Sequence, residues 1–132
     1  MNLSTKYSSC LKGELLCPGD KSISQRALII GSYLNQESII SNILSSSDPI
    51  YTANALNQVN ANLIFNKLSN TVKITRRQIP FQDPEDPLDL GNSGTGARLL
   101  AGFLSGLGIN ATITGDKSVS YTHLTLPTIL LV

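Results

Sequence analysis

The stretch LCPGDKSISQRALIIG, residues 16–31, decides how the fold of this sequence is interpreted. A proline and a glycine favour a turn in its first half, and its second half has the apolar spacing of an amphipathic helix. Lys21 lies at the junction, followed by Ser22 and by Arg26 four residues later. Residues so spaced share one helix face, where a hydroxyl and a guanidinium could hold one phosphate. The alternative remains open that Ser22 only caps the helix and Arg26 is a solvated surface residue.

The spacing of the glycines excludes a nucleotide P-loop at this turn. Asp20 lies between Gly19 and Lys21, and Gly13 is six residues before Gly19, where the motif requires five. An aspartate in the loop would also repel a triphosphate. What remains is the helix start itself, whose unpaired amides and dipole favour an anion.

A second glycine-rich turn, GNSGTGARLL at residues 91–100, precedes another helical pattern. Its three glycines permit positive φ and a close approach of backbone amides to a ligand. Asn92 and Thr95 add neutral donors, and Arg98 lies four residues after Gly94 on the same face. The alternative is a turn that only lets the helix pack tightly on a sheet. Two helix starts suited to anions in one short chain favour a ligand site.

The composition limits the class of partner. The chain has 132 residues, a net charge of +1 and 14% charged residues, which suits one domain or a piece of one. So small a net charge argues against binding to nucleic acid or to an anionic membrane surface. The longest apolar run is too short to span a bilayer, and the cysteine usage favours a reducing, cytoplasmic setting.

Predicted strands and helices alternate along the chain, which is typical of an α/β layer architecture. Residues 10–17 are predicted as a strand, a helix runs from Ser22 to about Leu34, and ESIISNI predicts a buried strand. The apolar stripe predicted for this helix is Ile23, Ala27, Ile30 and Leu34. The order strand, helix, strand, helix, strand, strand would suit one repeating folding unit.

Asp48 and Pro49 predict the start of a second helix, with Asp48 as its N-cap. Its predicted stripe is Ile50, Ala53, Leu56 and Val59. ANLIFN and TVKIT predict a hairpin, and a loop rich in proline, aspartate and glycine follows. A third helix is predicted from Thr95, with the stripe Ala97, Leu100, Ala101 and Leu104, and INATIT predicts a strand. Lys117 is predicted to lead into no helix, and His123 to have no catalytic role.

Four motifs in order, PGDKSISQRALIIG, NILSSSD, LDLGNSGTGARLLAG and ITGDKSVS, resemble the opening portion of the EPSP synthases. These enzymes are the enolpyruvyl transferases of the shikimate pathway, and the resemblance runs from about Leu15 to Ser120. The sister family, the UDP-N-acetylglucosamine enolpyruvyl transferases, has the same fold and is the alternative. It carries asparagine after the lysine, where this chain has Ser22.

The resemblance implies an α/β fold that is part of an inside-out barrel built from βαβαββ units, incomplete here. Residues 1–20 would then be a strand segment of the other domain that ends at a hinge, and residues 21–120 the early part of one domain. The implied reaction transfers the enolpyruvyl group of phosphoenolpyruvate to the 5-hydroxyl of shikimate 3-phosphate and releases phosphate. No metal and no organic cofactor is implied, and the family enzyme is expected to be a cytoplasmic monomer.

The resemblance also assigns roles to residues that match the family motifs. Lys21 is expected to contact both substrates, with Ser22 and Arg26 holding shikimate 3-phosphate. Gly94 is expected to lie against phosphoenolpyruvate. Asn92, Thr95 and Arg98 would shape that pocket. Asp48 would have a structural role. The family's acid and base groups lie in parts of the family sequence that this chain does not match, so we expect the chain alone to be inactive.

Two features depart from the family pattern. Many relatives have an acidic pair where this chain has Ser47 and Asp48. After ITGDKSVS the family continues with a basic and proline-containing segment whose arginine would fall near position 122, whereas this chain continues YTHLTLPTILLV. Our hypothesis is that residues 121–132 are foreign sequence. Two hypotheses outside the enzyme class stay open: a non-catalytic phosphate-binding module, and a fragment that does not fold stably.

Overall fold

The computed structural model of the chain describes residues 3–4, 6–7, 9–10 and 12–120. Its helices are α1 (Lys21–Leu34), α2 (Ser47–Gln58), α3 (Gly94–Gly106) and α4 (Lys117–Ser120). Its strands are β1 (Ser38–Ile40), β2 (Leu63–Asn66), β3 (Thr71–Ile74), β4 (Leu88–Asp89) and β5 (Ile113–Thr114). The predicted mixed α/β class is confirmed. The described strands form two small open sheets rather than a closed barrel, as expected of an incomplete fold.

The larger sheet has three antiparallel strands in the order β1-β3-β2. The hairpin predicted from ANLIFN and TVKIT is confirmed as β2 and β3, whose turn is closed by Asn66 Oδ1 accepting from the amides of Leu68 and Ser69. The second sheet pairs β4 with β5 in parallel. The sequence did not predict β4, because two residues in a polar loop become a strand only through pairing with a distant segment.

The core lies where α1, α2 and α3 pack on one another and against the inner face of the larger sheet. The stripes predicted for α2 and α3 are largely confirmed, since their fully buried members include Ala53, Leu56, Ala97, Leu100 and Leu104. Each is a small or branched apolar side chain at helical spacing, so its helix can bury one face while the opposite face stays in water.

The predicted stripe of α1 is wrong. Ile23, Ile30 and Leu34 are each more than half exposed, and the buried face contains Leu28 and Ile29 together with polar side chains. Apolar residues occupy two neighbouring faces of this helix, so their spacing alone does not decide which face packs. Contacts with α2 and α3 decide it here. β1 is likewise an exposed strand and not the buried one predicted.

Three local predictions at element ends also need correction. Asp20, not Ser22, caps α1, because its Oδ1 accepts from the amide of Ile23 at 2.7 Å. Ser46 is the N-cap residue of α2, and Asp48 lies inside the first turn. Lys117 does begin a helix, although one of a single turn.

The strand predicted over residues 10–17 is absent from the residues described in that stretch. The backbone there is irregular, and the side chains from residue 12 to residue 18 are exposed. A β-strand needs a neighbouring strand for its amide and carbonyl groups, and no described strand pairs with residues 12–17.

Arg77 ties the segment after the hairpin to the C-terminal end of α1. Its backbone amide donates to Asn35 Oδ1 at 2.6 Å, and its guanidinium donates to the carbonyl of Ser32. The guanidinium also lies over the Phe81 ring, 3.8 Å from the centroid, and that ring packs edge-on against Phe103. Burial lowers the pKa of the Arg77 guanidinium from its ordinary value, which still leaves it charged at neutral pH.

We expect Arg77→Met to lower the free energy of unfolding by about 2 kcal/mol. Methionine keeps the apolar stem but removes the charge at the helix C-terminus, the bond to Ser32 and the contact with Phe81. Urea unfolding followed by circular dichroism measures the change. The neighbouring exposed Arg76 is the matched control, and Arg76→Met should leave stability within about 0.5 kcal/mol. Equal losses for the two variants would contradict the assignment.

Candidate functional site

The first turns of α1 and α2 meet at an ion pair. Lys21 Nζ lies 2.9 Å from Asp48 Oδ2. The lysine side chain is 50% exposed and the aspartate side chain only 10% exposed. A half-exposed ammonium held by a buried carboxylate keeps some of its donors directed to solvent. The sequence predicted that Asp48 caps α2, but in the structure its carboxylate orients Lys21.

A buried amide joins this pair to the start of α3. Gln25, one helical turn after Lys21, is fully buried. Its Nε2 donates to Ser93 Oγ at 2.7 Å and to Thr52 Oγ1 at 3.1 Å. The Thr52 hydroxyl donates in turn to the backbone carbonyl of Asp48 at 3.0 Å. One hydrogen-bonded network therefore links the N-terminal parts of α1, α2 and α3.

Gly96 makes room for this network. A Cβ at this position would lie 2.8 Å from Ser93 Oγ and 3.0 Å from both Gln25 Nε2 and Thr52 Oγ1. These distances are too short for a methyl group against polar atoms that are already hydrogen-bonded. Gly96 is thus required for packing. The alternative interpretation, a turn that only allows tight packing of the helix, therefore holds for this glycine of the motif.

The start of α3 places a capping serine, a glycine and an arginine close together. Ser93 caps the helix by accepting from the amide of Gly96 at 3.1 Å. A Cβ on Gly94 would meet only Arg98 Nη1, at 3.9 Å, so this glycine borders open space and the guanidinium folds back beside it. Of the glycines in this turn, positive φ is found at Gly91 only, at +54°. A cation beside a helix N-terminus favours an anionic ligand there.

The remaining predicted site residues surround these two helix starts. Ser22 and Thr95 are half-buried, in the first turns of α1 and α3. Arg26, Asn92 and Arg98 are exposed. The structure thus brings the two motifs together through Gln25, and leaves their charged side chains in contact with solvent.

Gln25 and Thr52 were not singled out from the sequence, and Gly96 was assigned only to a flexible turn. A glutamine inside a helix gives no local indication that it is buried, and Thr52 lies in the middle of an otherwise ordinary helix. The one available signal was that Gln25 lies four residues after Lys21, on the same face of α1.

Two negative findings hold for the described parts of the chain. Residues 12–120 and the described residues before them contain no group of three or more His, Cys, Asp or Glu side chains arranged to hold a metal ion. In the same residues, every helix is too short or too polar to cross a membrane.

Comparisons with known proteins agree on one family. A family model described as EPSP synthase (3-phosphoshikimate 1-carboxyvinyltransferase) matches residues 5–121. The 3-phosphoshikimate 1-carboxyvinyltransferase of Oenococcus oeni is 39% identical over 120 residues, and that of Rhodopseudomonas palustris is 42% identical over 124 residues. Each match covers 90% of this chain and 27% of the relative, so the chain spans about a quarter of the relatives' length.

A solved structure of EPSP synthase from Acinetobacter baumannii matches with a TM-score of 0.71 and 30% identity, over 83% of this chain and 25% of that one. The matching proteins are carboxyvinyltransferases by name, and the chain shares their mixed α/β fold. Within that class, the chain belongs to the EPSP synthase family. The family match ends at residue 121, and the hypothesis of a foreign segment over residues 121–132 lies outside the described residues.

Proposed function

We propose that this chain forms one half of the substrate site of a 3-phosphoshikimate 1-carboxyvinyltransferase. The proposed enzyme transfers the enolpyruvyl group of phosphoenolpyruvate to the 5-hydroxyl of shikimate 3-phosphate and releases phosphate. The observation that carries the proposal is that the starts of α1 and α3 are joined through Gln25, while Asp48 holds the Lys21 ammonium at the start of α1. That arrangement suits a reaction that must hold two phosphate-bearing substrates next to each other.

The charges at the site support this assignment. Two phosphate groups repel each other, so a cation between them lowers the free energy of the complex. Lys21 is proposed to take that place, since its ammonium is oriented by Asp48 yet half exposed. The start of α1 with Ser22 and Arg26 would bind shikimate 3-phosphate. The start of α3 would bind phosphoenolpyruvate at Gly94, with Asn92, Thr95 and Arg98 around it.

In the proposed reaction the 5-hydroxyl attacks C2 of phosphoenolpyruvate while C3 takes up a proton, and the tetrahedral intermediate then loses phosphate. Cationic groups fixed before reaction stabilise the charge that moves between these oxygens. The Asp48 carboxylate is engaged by the Lys21 ammonium, which supports a structural role for it. The acid and base groups are proposed to come from the part of the enzyme that this chain does not match.

Titration of the chain with shikimate 3-phosphate and with inorganic phosphate tests the proposal. We expect shikimate 3-phosphate to bind at least about tenfold more tightly, because its ring hydroxyls and carboxylate add contacts to those of the phosphate. Arg26→Gln should weaken the binding of both ligands, because it removes a contact with the phosphate group that they share, whereas Arg76→Gln, which removes an exposed arginine elsewhere, should leave both affinities unchanged. Equal, weak binding of both ligands would instead support a generic phosphate-binding module.

We expect the purified 132-residue chain to release no phosphate from phosphoenolpyruvate in the presence of shikimate 3-phosphate. The cations of this half-site can bind and orient substrates, but the proposed proton transfers need groups outside it. A coupled phosphate-release assay measures the rate, and the chain without shikimate 3-phosphate is the control. Turnover that depends on both substrates would overturn this expectation while supporting the assigned chemistry.

We also propose that residues 1–20 belong to the other domain of the whole enzyme, and residues 21–120 to the early part of its neighbour. The exposed, irregular backbone over residues 12–18 supports that division. The whole enzyme is proposed to be a cytoplasmic monomer without a nucleic-acid partner. For the residues of this chain, the net charge of +1 supports the last of these proposals.

A further inference from the structure

We propose that Gln25 is a positioning residue, which fixes the start of α3 relative to the Lys21–Asp48 ion pair. The inference rests on the proposed function, because that function assigns the two helix starts to two different substrates. Gln25 itself is fully buried, so its side chain has no surface open to a ligand in solution. It acts through Ser93 on one side and Thr52 on the other.

The donors and acceptors of this network allow one consistent arrangement. The Thr52 hydroxyl has a single proton and gives it to the carbonyl of Asp48, so its oxygen accepts from Gln25. Ser93 Oγ accepts both from Gln25 and from the amide of Gly96. The two amide protons of Gln25 therefore point to α2 and α3 at once, and the side chain is held at both.

The network closes on Lys21. Lys21 pairs with the carboxylate of Asp48, whose carbonyl accepts from Thr52, and Thr52 accepts from Gln25. Gln25 lies one turn after Lys21 on α1, so these four residues form a ring across α1 and α2. Ser93 is the branch that connects this ring to α3. A movement of the α3 start is therefore transmitted to the Lys21 ammonium through Gln25.

Stability alone does not account for a glutamine here. Its Oε1 is buried and has no hydrogen-bond partner among the described residues. A buried acceptor left without a donor is costly, and methionine would fill the same volume without that cost. Thr52 and Ser93 would both keep another bond if Gln25 were replaced, to Asp48 and Gly96 respectively. A glutamine at this position is therefore explained better by the orientation of the α3 start than by the stability of the fold.

The test is a double-mutant cycle on the full 132-residue chain without any ligand, using Gln25→Met, Ser93→Ala and the double variant. Nuclear magnetic resonance follows the side-chain signal of Lys21 and the hydrogen exchange of the Gly96 amide. We expect Gln25→Met to speed exchange at Gly96 by roughly fivefold while the melting temperature stays within about 4 °C. Ser93→Ala should shift the Lys21 signal in the parent chain and leave it unchanged in the Gln25→Met background.

Ser32→Ala is the matched control, because Ser32 is a buried hydroxyl of the same helix that donates only to Leu28 within it. It should alter neither readout. The proposal would be overturned if Ser93→Ala left the Lys21 signal unchanged in the parent chain. It would also be overturned if Ser93→Ala shifted that signal equally in the parent chain and in the Gln25→Met background. If Gln25→Met does not fold, Gln25 is a stability residue and the proposal also fails.

Parallel titrations separate this inference from the proposed function. If neither shikimate 3-phosphate nor phosphoenolpyruvate binds the chain, the proposed substrates are wrong, but the ligand-free cycle still decides the role of Gln25. If both bind, Gln25→Met should weaken phosphoenolpyruvate binding about threefold to tenfold, because its helix start is no longer held in register with Lys21.

Discussion

Lys21→Met is expected to reduce the affinity of the chain for shikimate 3-phosphate by about 100-fold, the loss associated with a charged hydrogen bond to phosphate. Methionine keeps most of the apolar stem and removes the ammonium. The same change leaves the Asp48 carboxylate, whose side chain is only 10% exposed, without its cation. We therefore also expect the free energy of unfolding to fall by about 1 kcal/mol, a modest loss because Lys21 is half exposed.

The double variant Lys21→Met with Asp48→Asn separates the two effects. Replacing the carboxylate by an amide removes the unpaired charge, so stability should return to within about 0.5 kcal/mol of the parent chain. Binding should stay lost, because the ammonium is still missing. Asp48→Asn alone keeps the ammonium but removes the charge that orients it, so binding should weaken by less than it does in Lys21→Met. Isothermal titration and urea unfolding measure the two quantities, and recovery of binding in the double variant would show that Lys21 acts only by neutralising Asp48.

Gly19→Ala is expected to lower the free energy of unfolding by about 3 kcal/mol, the upper part of the range for overpacking. A Cβ on Gly19 would lie 2.1 Å from the carbonyl oxygen of Asn42 and 2.9 Å from the amide nitrogen of Leu44. Both are backbone atoms. The Leu44 amide is already held by Ser24 Oγ at 3.0 Å, so this segment cannot withdraw without losing that bond. The turn before α1 must move instead.

The matched control is Gly102→Ala, on the exposed side of α3, where an added Cβ meets nothing within 4 Å. Alanine is the better helix former, so this change should be neutral or stabilising by up to about 1 kcal/mol. Urea unfolding of both variants gives the comparison. A loss below about 0.5 kcal/mol for Gly19→Ala would contradict the close backbone packing of this turn.

Predictions that depend on neighbours within a few residues were mostly right. The hairpin of β2 and β3, the helices α2 and α3 and their buried stripes follow from spacing and turn residues, which act over one or two turns of chain. The two glycine-rich helix starts were also visible, because an unpaired amide and a preceding glycine are local features. Their ligands remain a proposal.

Predictions that needed a distant partner were often wrong. The spacing of apolar residues in α1 indicated Ile23 and Ile30 as buried, yet both are more than half exposed. Asp48 has the sequence context of a helix cap, but in the fold its carboxylate forms an ion pair with Lys21. When a side chain can pair with either a local or a distant donor, the packing of the fold decides which partner it takes. The sequence pattern does not contain that packing.

The sequence by itself determined the α/β class, the order of most elements, the family motifs and the two helix starts suited to anions. Only the tertiary structure decided that these starts share one network, because Gln25 is 27 residues from Thr52 and 68 from Ser93 along the chain. Turns and caps are governed by adjacent dihedral angles and by bonds within a few residues. A buried amide between three helices depends on how whole faces pack, and so it becomes visible only once the chain is folded.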